Sequence, residues 1–259
     1  MVQRLIHPLT ITTALVVGCA FAWSGCTQST KPCPCPAKAI ARAGAKATKL
    51  KLFVMSKCPH GGDAERGVAG VMRALGDDLE VELDFIVGEK KGAFESLHGP
   101  DEVAGNIVQL CVAKRYPMAK TMSFIGCMNR RMRAIPHNWK GCARLEGIDV
   151  AAVKSCSEGA EGKGLLRASM ARAKKAGATG SPTIYIAGKN YEGGRSPMDL
   201  LRAVCATLAK PPIACRQLPA PVAVTLTVLS DKRCGAVCAT DEYEMGLKAR
   251  YLPKLTVKH

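Results

Sequence analysis

Apolar residues recur along this chain with distinct periods, and each period predicts an element. Leu50-Lys51-Leu52-Phe53-Val54-Met55 is a nearly continuous apolar run, the mark of a mostly buried strand. Beyond Cys58, the positions Val68, Val71, Met72 and Leu75 return at helical spacing and share one face. Leu79, Val81, Leu83 and Phe85 then alternate with Glu80, Glu82 and Asp84, which predicts a half-buried strand. From Pro100 to about Ala178 strand signal is scarce. Short helical patterns follow one another there and carry Cys111, Cys127, Cys142 and Cys156. Strand character returns over 181–187, and the turn Gly188-Lys189-Asn190 predicts a hairpin returning through Tyr191 and Glu192. A last helix is predicted from Ser196-Pro197-Met198-Asp199, with serine as cap, proline at the first helical position and an acid in the first turn.

The two ends read differently. Arg4 and His7 precede an uncharged apolar run over 9–23, which suits a signal peptide better than a membrane span, so export is predicted. Val16-Val17-Gly18-Cys19 and Trp23-Ser24-Gly25-Cys26 both resemble the bacterial lipobox, in which a small residue precedes a cysteine that receives lipid on cleavage. Cys26 leaves the longer apolar run and is the leading lipidation candidate; Cys19 and an ordinary cleaved signal are the alternatives. Residues 27–48, with Pro32-Cys33-Pro34-Cys35-Pro36 and an Ala/Lys/Arg tract, read as a flexible basic tether. No acid occurs in residues 1–50, so the tether is drawn to an anionic membrane surface, the plainer alternative being a solvated basic face. At the other end, Val224-Thr225-Leu226-Thr227-Val228-Leu229-Ser230 leads into Cys234 and Cys238, repeating the order of strand then cysteine seen at Leu52 to Cys58. Residues 221–259 are too few for an independent core and read as a partial second unit.

Composition narrows the classes. With 47% hydrophobic and 22% charged residues in 259, the chain is a soluble globular protein of one main domain and an appendage. The net charge of +16 invites a nucleic-acid partner, but the basic residues are scattered and aromatics make up only 5%, which leaves no stacking platform; nucleic acid is not expected. Thirteen cysteines behind an export signal predict an oxidising compartment and disulfides. Three pairings are open to Cys111, Cys127, Cys142 and Cys156; the nested one, Cys127 with Cys142 and Cys111 with Cys156, is the leading expectation. Cys205 and Cys215 flank Pro211-Pro212 and are expected to form a local staple. The cysteines form no paired Cys-x-x-Cys sets, so neither a metal nor a cofactor is predicted.

If the mature chain begins at Cys26, the other cysteines fall into local sets of even number and leave Cys58 single. A cysteine between a buried strand and the first turn of a helix sits where free backbone N–H groups and the helix dipole favour thiolate over thiol. Pro59 pre-sets the turn, His60 is the candidate proton partner, and Lys57 adds positive charge. Such a thiolate attacks a substrate disulfide to give a mixed disulfide. Gly61 occupies the place of a second, releasing thiol, so release falls to a small thiol, a partner protein, or Cys234 and Cys238 as a relay. The plain alternative is an inert thiol or half of a structural disulfide.

Two strands, a helical block, then a hairpin and a helix make a thioredoxin-like order. Within it, Ser96-Leu97-His98-Gly99-Pro100-Asp101-Glu102-Val103-Ala104-Gly105-Asn106 and Cys111 match the His-Gly, Glu, Asn and final Cys of a known signature: Cys-Gln-His-Gly, two residues, Glu-Cys, two residues, Asn, four residues, Cys. The chain thus resembles the DsbA-like thioredoxin proteins and, among them, the gamma-interferon-inducible lysosomal thiol reductase family, from about Leu50 to Cys205. Two signature cysteines are replaced together, by Ser96 and Val103. The Ser181-Pro182-Thr183 segment is similar to the family's cis-proline loop, which implies that Ser181 and Pro182 join Cys58 in holding substrate peptide. His98, Glu102 and Asn106, spaced by four, would cap and line one helix face. The family's reductase chemistry rests on a Cys-x-x-Cys pair, from which Cys58-Pro59-His60-Gly61 departs.

The expected architecture is α/β: a signal over 1–26, a linker over 27–48, a thioredoxin-like domain over 49–216 with a helical insertion at about 100–178, and a strand-helix unit over 221–259 resembling a truncated second thioredoxin-like domain. The expected function is that of an exported, periplasmic or cell-envelope thiol-disulfide oxidoreductase-like protein. It would act on protein or peptide thiols and disulfides through Cys58, by mixed-disulfide formation or isomerisation. The alternatives are a non-enzymatic peptide-binding lipoprotein and a structural lipoprotein.

Overall fold

β1 (Thr48–Val54) lies inside a four-stranded sheet of order β2-β1-β5-β6, and its apolar sequence follows from cover on both faces, Leu50, Leu52 and Val54 in the main core on one and Phe53 in a second cluster on the other. β2 (Leu79–Phe85) pairs with it in parallel, Leu50 facing Val81 and Leu52 facing Leu83. β5 (Thr183–Ile186) pairs antiparallel on its other edge, and β6 (Lys189–Asn190) closes the sheet. A parallel pair needs a crossover. Here it is α1 (Pro59–Leu75), whose buried Ala64, Val68, Val71 and Leu75 join Leu50, Leu52 and Val54 in the main core. α7 (Pro197–Cys205) packs beside α1. Gly67 permits that approach, since a methyl group there would run into the Arg195 carbonyl and Leu200. The structure, a computed structural model, describes residues 47–220, 223–227 and 254–258.

The insertion is helical: α2 (Pro100–Arg115), α3 (Met118–Asn129), α4 (Trp139–Leu145), α5 (Val150–Glu158) and α6 (Ala160–Lys175). Of the three pairings open to its cysteines the structure has the nested one. Cys111 on α2 bonds Cys156 on α5, and Cys127 on α3 bonds Cys142 on α4. Cys205 bonds Cys215 in α8 (Ile213–Arg216), closing the end of α7. This is a thioredoxin-like fold with a helical insertion.

β2 departs from a half-buried strand. Asp84 is only 4% exposed, because α6 covers the sheet there. Its carboxylate accepts from Ser169 Oγ at 2.8 Å and from Nε and Nη2 of Arg172 at 3.0 and 2.7 Å. The same side of the sheet holds a second apolar cluster of Phe53, Ile86, Ala173 and Ala178.

Two hairpins differ from the sequence reading. β3 (Gly88–Lys90) and β4 (Ala93–Glu95) were not legible, since these short strands are largely exposed and lack apolar alternation. The second hairpin turns earlier than expected. Ala187 and Gly188 both have positive φ, 49° and 80°, so a two-residue turn sets Lys189 opposite Ile186 and Asn190 opposite Tyr185. At the C-terminal end β7 (Val224–Thr227) pairs in parallel with β8 (Leu255–Lys258). The signal with Cys19 and Cys26, the tether up to residue 46 with Cys33 and Cys35, and Cys234 and Cys238 in the tail lie outside the described residues, while Thr48, the last residue assigned to the tether, is the first of β1.

Candidate active site

Cys58 is the N-cap of α1, with extended backbone angles and Pro59 immediately inside the helix. Its amide donates to the Met55 carbonyl at 3.0 Å, and its carbonyl accepts from Gly62 N at 2.9 Å, so the residue is fixed at both ends. The thiol is the only free one among the described cysteines. It is 7% exposed, and Sγ donates to the Ser181 carbonyl at 3.4 Å. Ser181 precedes Pro182 through a cis peptide bond, so Cys58, Ser181 and Pro182 meet at one place.

Ser181 contacts the loop twice. Besides the carbonyl on Cys58, its Oγ accepts from Met55 N at 2.9 Å. That hydroxyl also fills the space a side chain at position 61 would need: a Cβ on Gly61 would come within 2.8 Å of it and 3.3 Å of the Met55 carbonyl. Position 61 therefore lacks a second thiol and, as packed, the room for one.

A larger network holds the loop from the insertion side. Glu102, on the first turn of α2, has no solvent exposure. Its Oε1 accepts from Lys57 N at 2.9 Å and lies 2.8 Å from His98 Nδ1, while Oε2 accepts from Ser96 Oγ at 2.6 Å and His98 N at 3.1 Å. One turn on, Asn106 Oδ1 accepts from Ser56 N at 2.9 Å, and Ser56 Oγ donates to the Glu102 carbonyl at 3.1 Å. Gly105 lets α2 come this close, as a Cβ there would sit 2.5 Å from Ser56 Oγ. The signature residues read as caps and liners of α2 are thus a clamp on residues 56 and 57. The spacing put Glu102 and Asn106 on one helix face; the missing signal was that this face meets the strand-to-helix loop.

His60 is exposed and makes no hydrogen bond to Cys58. The Lys57 ammonium lies 3.5 Å from Asp101 and is partly neutralised. Among the described residues no group of three His, Cys, Asp or Glu side chains is gathered to hold a metal ion, and no helix is long and apolar enough to cross a membrane.

The family model described as gamma interferon inducible lysosomal thiol reductase (GILT) matches residues 49–146, a stretch holding Cys58 and the whole clamp. Over that stretch the chain resembles this family of thiol reductases. No curated protein matches the chain. Among solved structures, the thiol-disulfide oxidoreductase MdbA of Actinomyces oris is similar over 63% of this chain and 83% of its own, at 15% identity and a TM-score of 0.49. MdbA of Corynebacterium diphtheriae covers 60% and 82%, at 18% identity and 0.47. A thioredoxin-like oxidoreductase from Silicibacter pomeroyi covers 55% and 76%, at 19% and 0.42.

Proposed function

We propose that this is an exported thiol-disulfide oxidoreductase-like protein that works through Cys58 alone, on disulfides of proteins or peptides. One observation carries the reading: the free Cys58 sulfur, at the start of α1, faces the carbonyl of the cis Ser181–Pro182 segment. In this reading the thiolate attacks one sulfur of a substrate disulfide, forming the Cys58–substrate bond and expelling the other sulfur as a substrate thiolate. With no thiol at position 61, a different thiol of the same substrate attacks the substrate sulfur of the mixed disulfide, forming a new substrate disulfide and expelling Cys58 as thiolate, whereas return of the first expelled thiolate only restores the starting bond. Such a cycle is redox-neutral and amounts to isomerisation; net reduction needs a thiol from solution, a partner protein, or the tail cysteines Cys234 and Cys238. The working unit is residues 49–216, with the signal over 1–26 directing export and Cys26 as the lipid-bearing residue.

The test is to incubate the mature protein with a scrambled disulfide protein and quench with acid. Mass spectrometry should find the adduct on Cys58, and Cys58→Ser should abolish both adduct and recovery of native pairing. Cys58 locked in an intramolecular disulfide would end this reading. The low exposure of the thiol favours one rival, a peptide-binding module without catalysis. It is distinguished by peptide affinity that survives Cys58→Ser while no isomerisation is seen in either protein.

A further inference from the structure

Between Cys127 and Cys142, which bond each other, the chain carries three arginines, one lysine and one histidine and no acid. This closed loop runs from the end of α3 through a single helical turn at Met132–Ala134 into α4. It borders the segment around Cys58 at three points. A Cβ on Gly62, whose amide bonds the Cys58 carbonyl, would run into Met132 Cε. A Cβ on Gly105 would meet both Ile135 Cγ2 and Ser56 Oγ at 2.5 Å, so Ile135 sits beside Ser56. His137 Nε2 lies 3.9 Å from the Asp101 oxygen that the Lys57 ammonium reaches at 3.5 Å. Asn138 Nδ2 donates to the Met128 and Arg131 carbonyls at 2.8 and 3.3 Å and fixes the turn from within. Cys58 thus has the Ser181–Pro182 segment at its sulfur and this loop along residues 56–62.

The charges on the loop are left over. Arg131 and Arg133 flank Met132, are exposed, and have no ion pair or side-chain hydrogen bond among the described residues. The acids at the adjoining helix starts are engaged elsewhere, Asp63 with Arg66 at 3.1 Å and Asp101 with Lys57 and His137. On the other flank of Cys58 the stretch from Thr179 to Thr183 bears no charge. Arginine keeps its charge at every working pH and its planar fork matches a carboxylate. Charge of one sign beside a reactive centre speeds encounter with partners of the opposite sign and turns away others. An anionic membrane answers the same charge, but a bilayer brings no disulfide to Cys58, whereas a protein segment does.

We propose that the loop closed by Cys127 and Cys142 selects acidic substrates: disulfides of proteins or peptides whose reacting cysteine is flanked by Asp or Glu, drawn by Arg131 and Arg133 while the sulfur meets Cys58. The inference rests on the thiol reading for the disulfide and on the loop alone for the charge.

Three short peptides that differ only in the residues around one cysteine, Glu, Gln or Lys, carry that cysteine as a pyridyl disulfide. The Cys58 thiolate attacks the peptide sulfur, forming the Cys58–peptide bond and expelling pyridinethione, whose absorbance gives the rate. With the full mature protein at low salt, the part of the rate that Cys58→Ser removes should be about tenfold faster for the Glu peptide than for the Gln peptide, and slowest for the Lys peptide. The spread should narrow as sodium chloride is added. Arg131→Glu combined with Arg133→Glu, both at exposed positions, should reverse the order. Lys189→Glu, on β6 at the end of the sheet away from Cys58, should keep it. A second measurement needs no thiol chemistry: fluorescence anisotropy of dansylated peptides with serine for cysteine should show the Glu peptide bound about tenfold more tightly than the Gln peptide, an advantage lost in the double arginine variant. Equal rates for the three peptides, or an unchanged order in that variant, would overturn the proposal and leave the thiol reading standing. Acid-selective anisotropy with no pyridinethione released through Cys58 would support the acidic partner and overturn the thiol reading. Loss of binding to phosphatidylglycerol vesicles in the double variant, with no preference among the peptides, would overturn the proposal in favour of a membrane-facing surface.

Discussion

The buried carboxylate of Glu102 stands 2.9 Å from the backbone amide of Lys57, the residue that precedes the free cysteine, and it takes Ser96 and the His98 amide on its other oxygen. One side chain on the insertion therefore fixes a loop that belongs to the central sheet. Ser96 stands where the related signature has a cysteine, and its hydroxyl ties the segment before α2 to Glu102.

Replacing Glu102 by alanine leaves several donors without an acceptor in a buried place, which costs about 3 kcal/mol. The loop bearing Cys58 should loosen with it. Urea midpoints measure the first effect, and the rate of Cys58 alkylation by iodoacetamide in native buffer the second. An alanine variant with unchanged midpoint and unchanged alkylation would show that the clamp positions nothing.

Position 61 offers a sharper test. Gly61→Cys restores a Cys-x-x-Cys spacing but drives a Cβ against Ser181 Oγ, and overpacking of this kind costs about 1–3 kcal/mol. Gly61→Cys alone is expected to be destabilised and slow to form a disulfide between Cys58 and the introduced thiol. Adding Ser181→Ala removes the obstructing hydroxyl, so the double variant should oxidise more readily and gain dithiol reductase activity in an insulin-reduction assay. A single variant as active as the double would mean that Ser181 moves aside at no cost.

Glu65 predicts an unusual stability profile. Its carboxyl is held at about 8 by burial, against 4.5 when exposed. Between those values the native chain keeps a proton that the unfolded chain has lost, so stability falls as pH rises through the window, by up to about 5 kcal/mol. Below the window the contribution is constant, and above it the loss is complete. Glu65→Gln should flatten this profile, its advantage over the parent growing from below pH 4.5 to above pH 8 in urea titrations. Parallel profiles for the two proteins would contradict the burial.

The disulfides differ in the loops they close. Cys111–Cys156 spans 45 residues and Cys127–Cys142 spans 15, so chain entropy assigns them about 4 and about 3 kcal/mol. Paired alanine substitutions measured by thermal unfolding should rank in that order. The reverse order would mean that native-state effects outweigh loop closure.

Much of this architecture is legible in the sequence. Apolar period alone locates β1, α1 and β2, because each buries a face against the same core, and the spacing of Leu50, Leu52 and Val54 puts all three on one face of a strand. The short strands over 88–95 are invisible there, since exposed three-residue strands need no apolar pattern. Asp84 looks like a solvent-facing residue because alternation says nothing about a helix arriving from 80 residues away; only Arg172 and Ser169 make its burial tolerable. At the site, Cys58 and the proline loop are legible from motif and order. The clamp is not: a four-residue spacing puts Glu102 and Asn106 on one helix face without saying what that face meets.

α2 carries Glu102 and Asn106 on its first half and Cys111 on its second, and the bond from Cys111 to Cys156 adds a covalent tie to the packing of that helix against α5. Any thiol strong enough to cut that bond would slacken the helix that steadies residues 56 and 57. The surroundings that would liberate a captured substrate thus have an upper bound on their reducing power, set by the protein's own bracing. A working range of ambient redox potential follows, and it is written into α2 rather than into the cysteine at position 58.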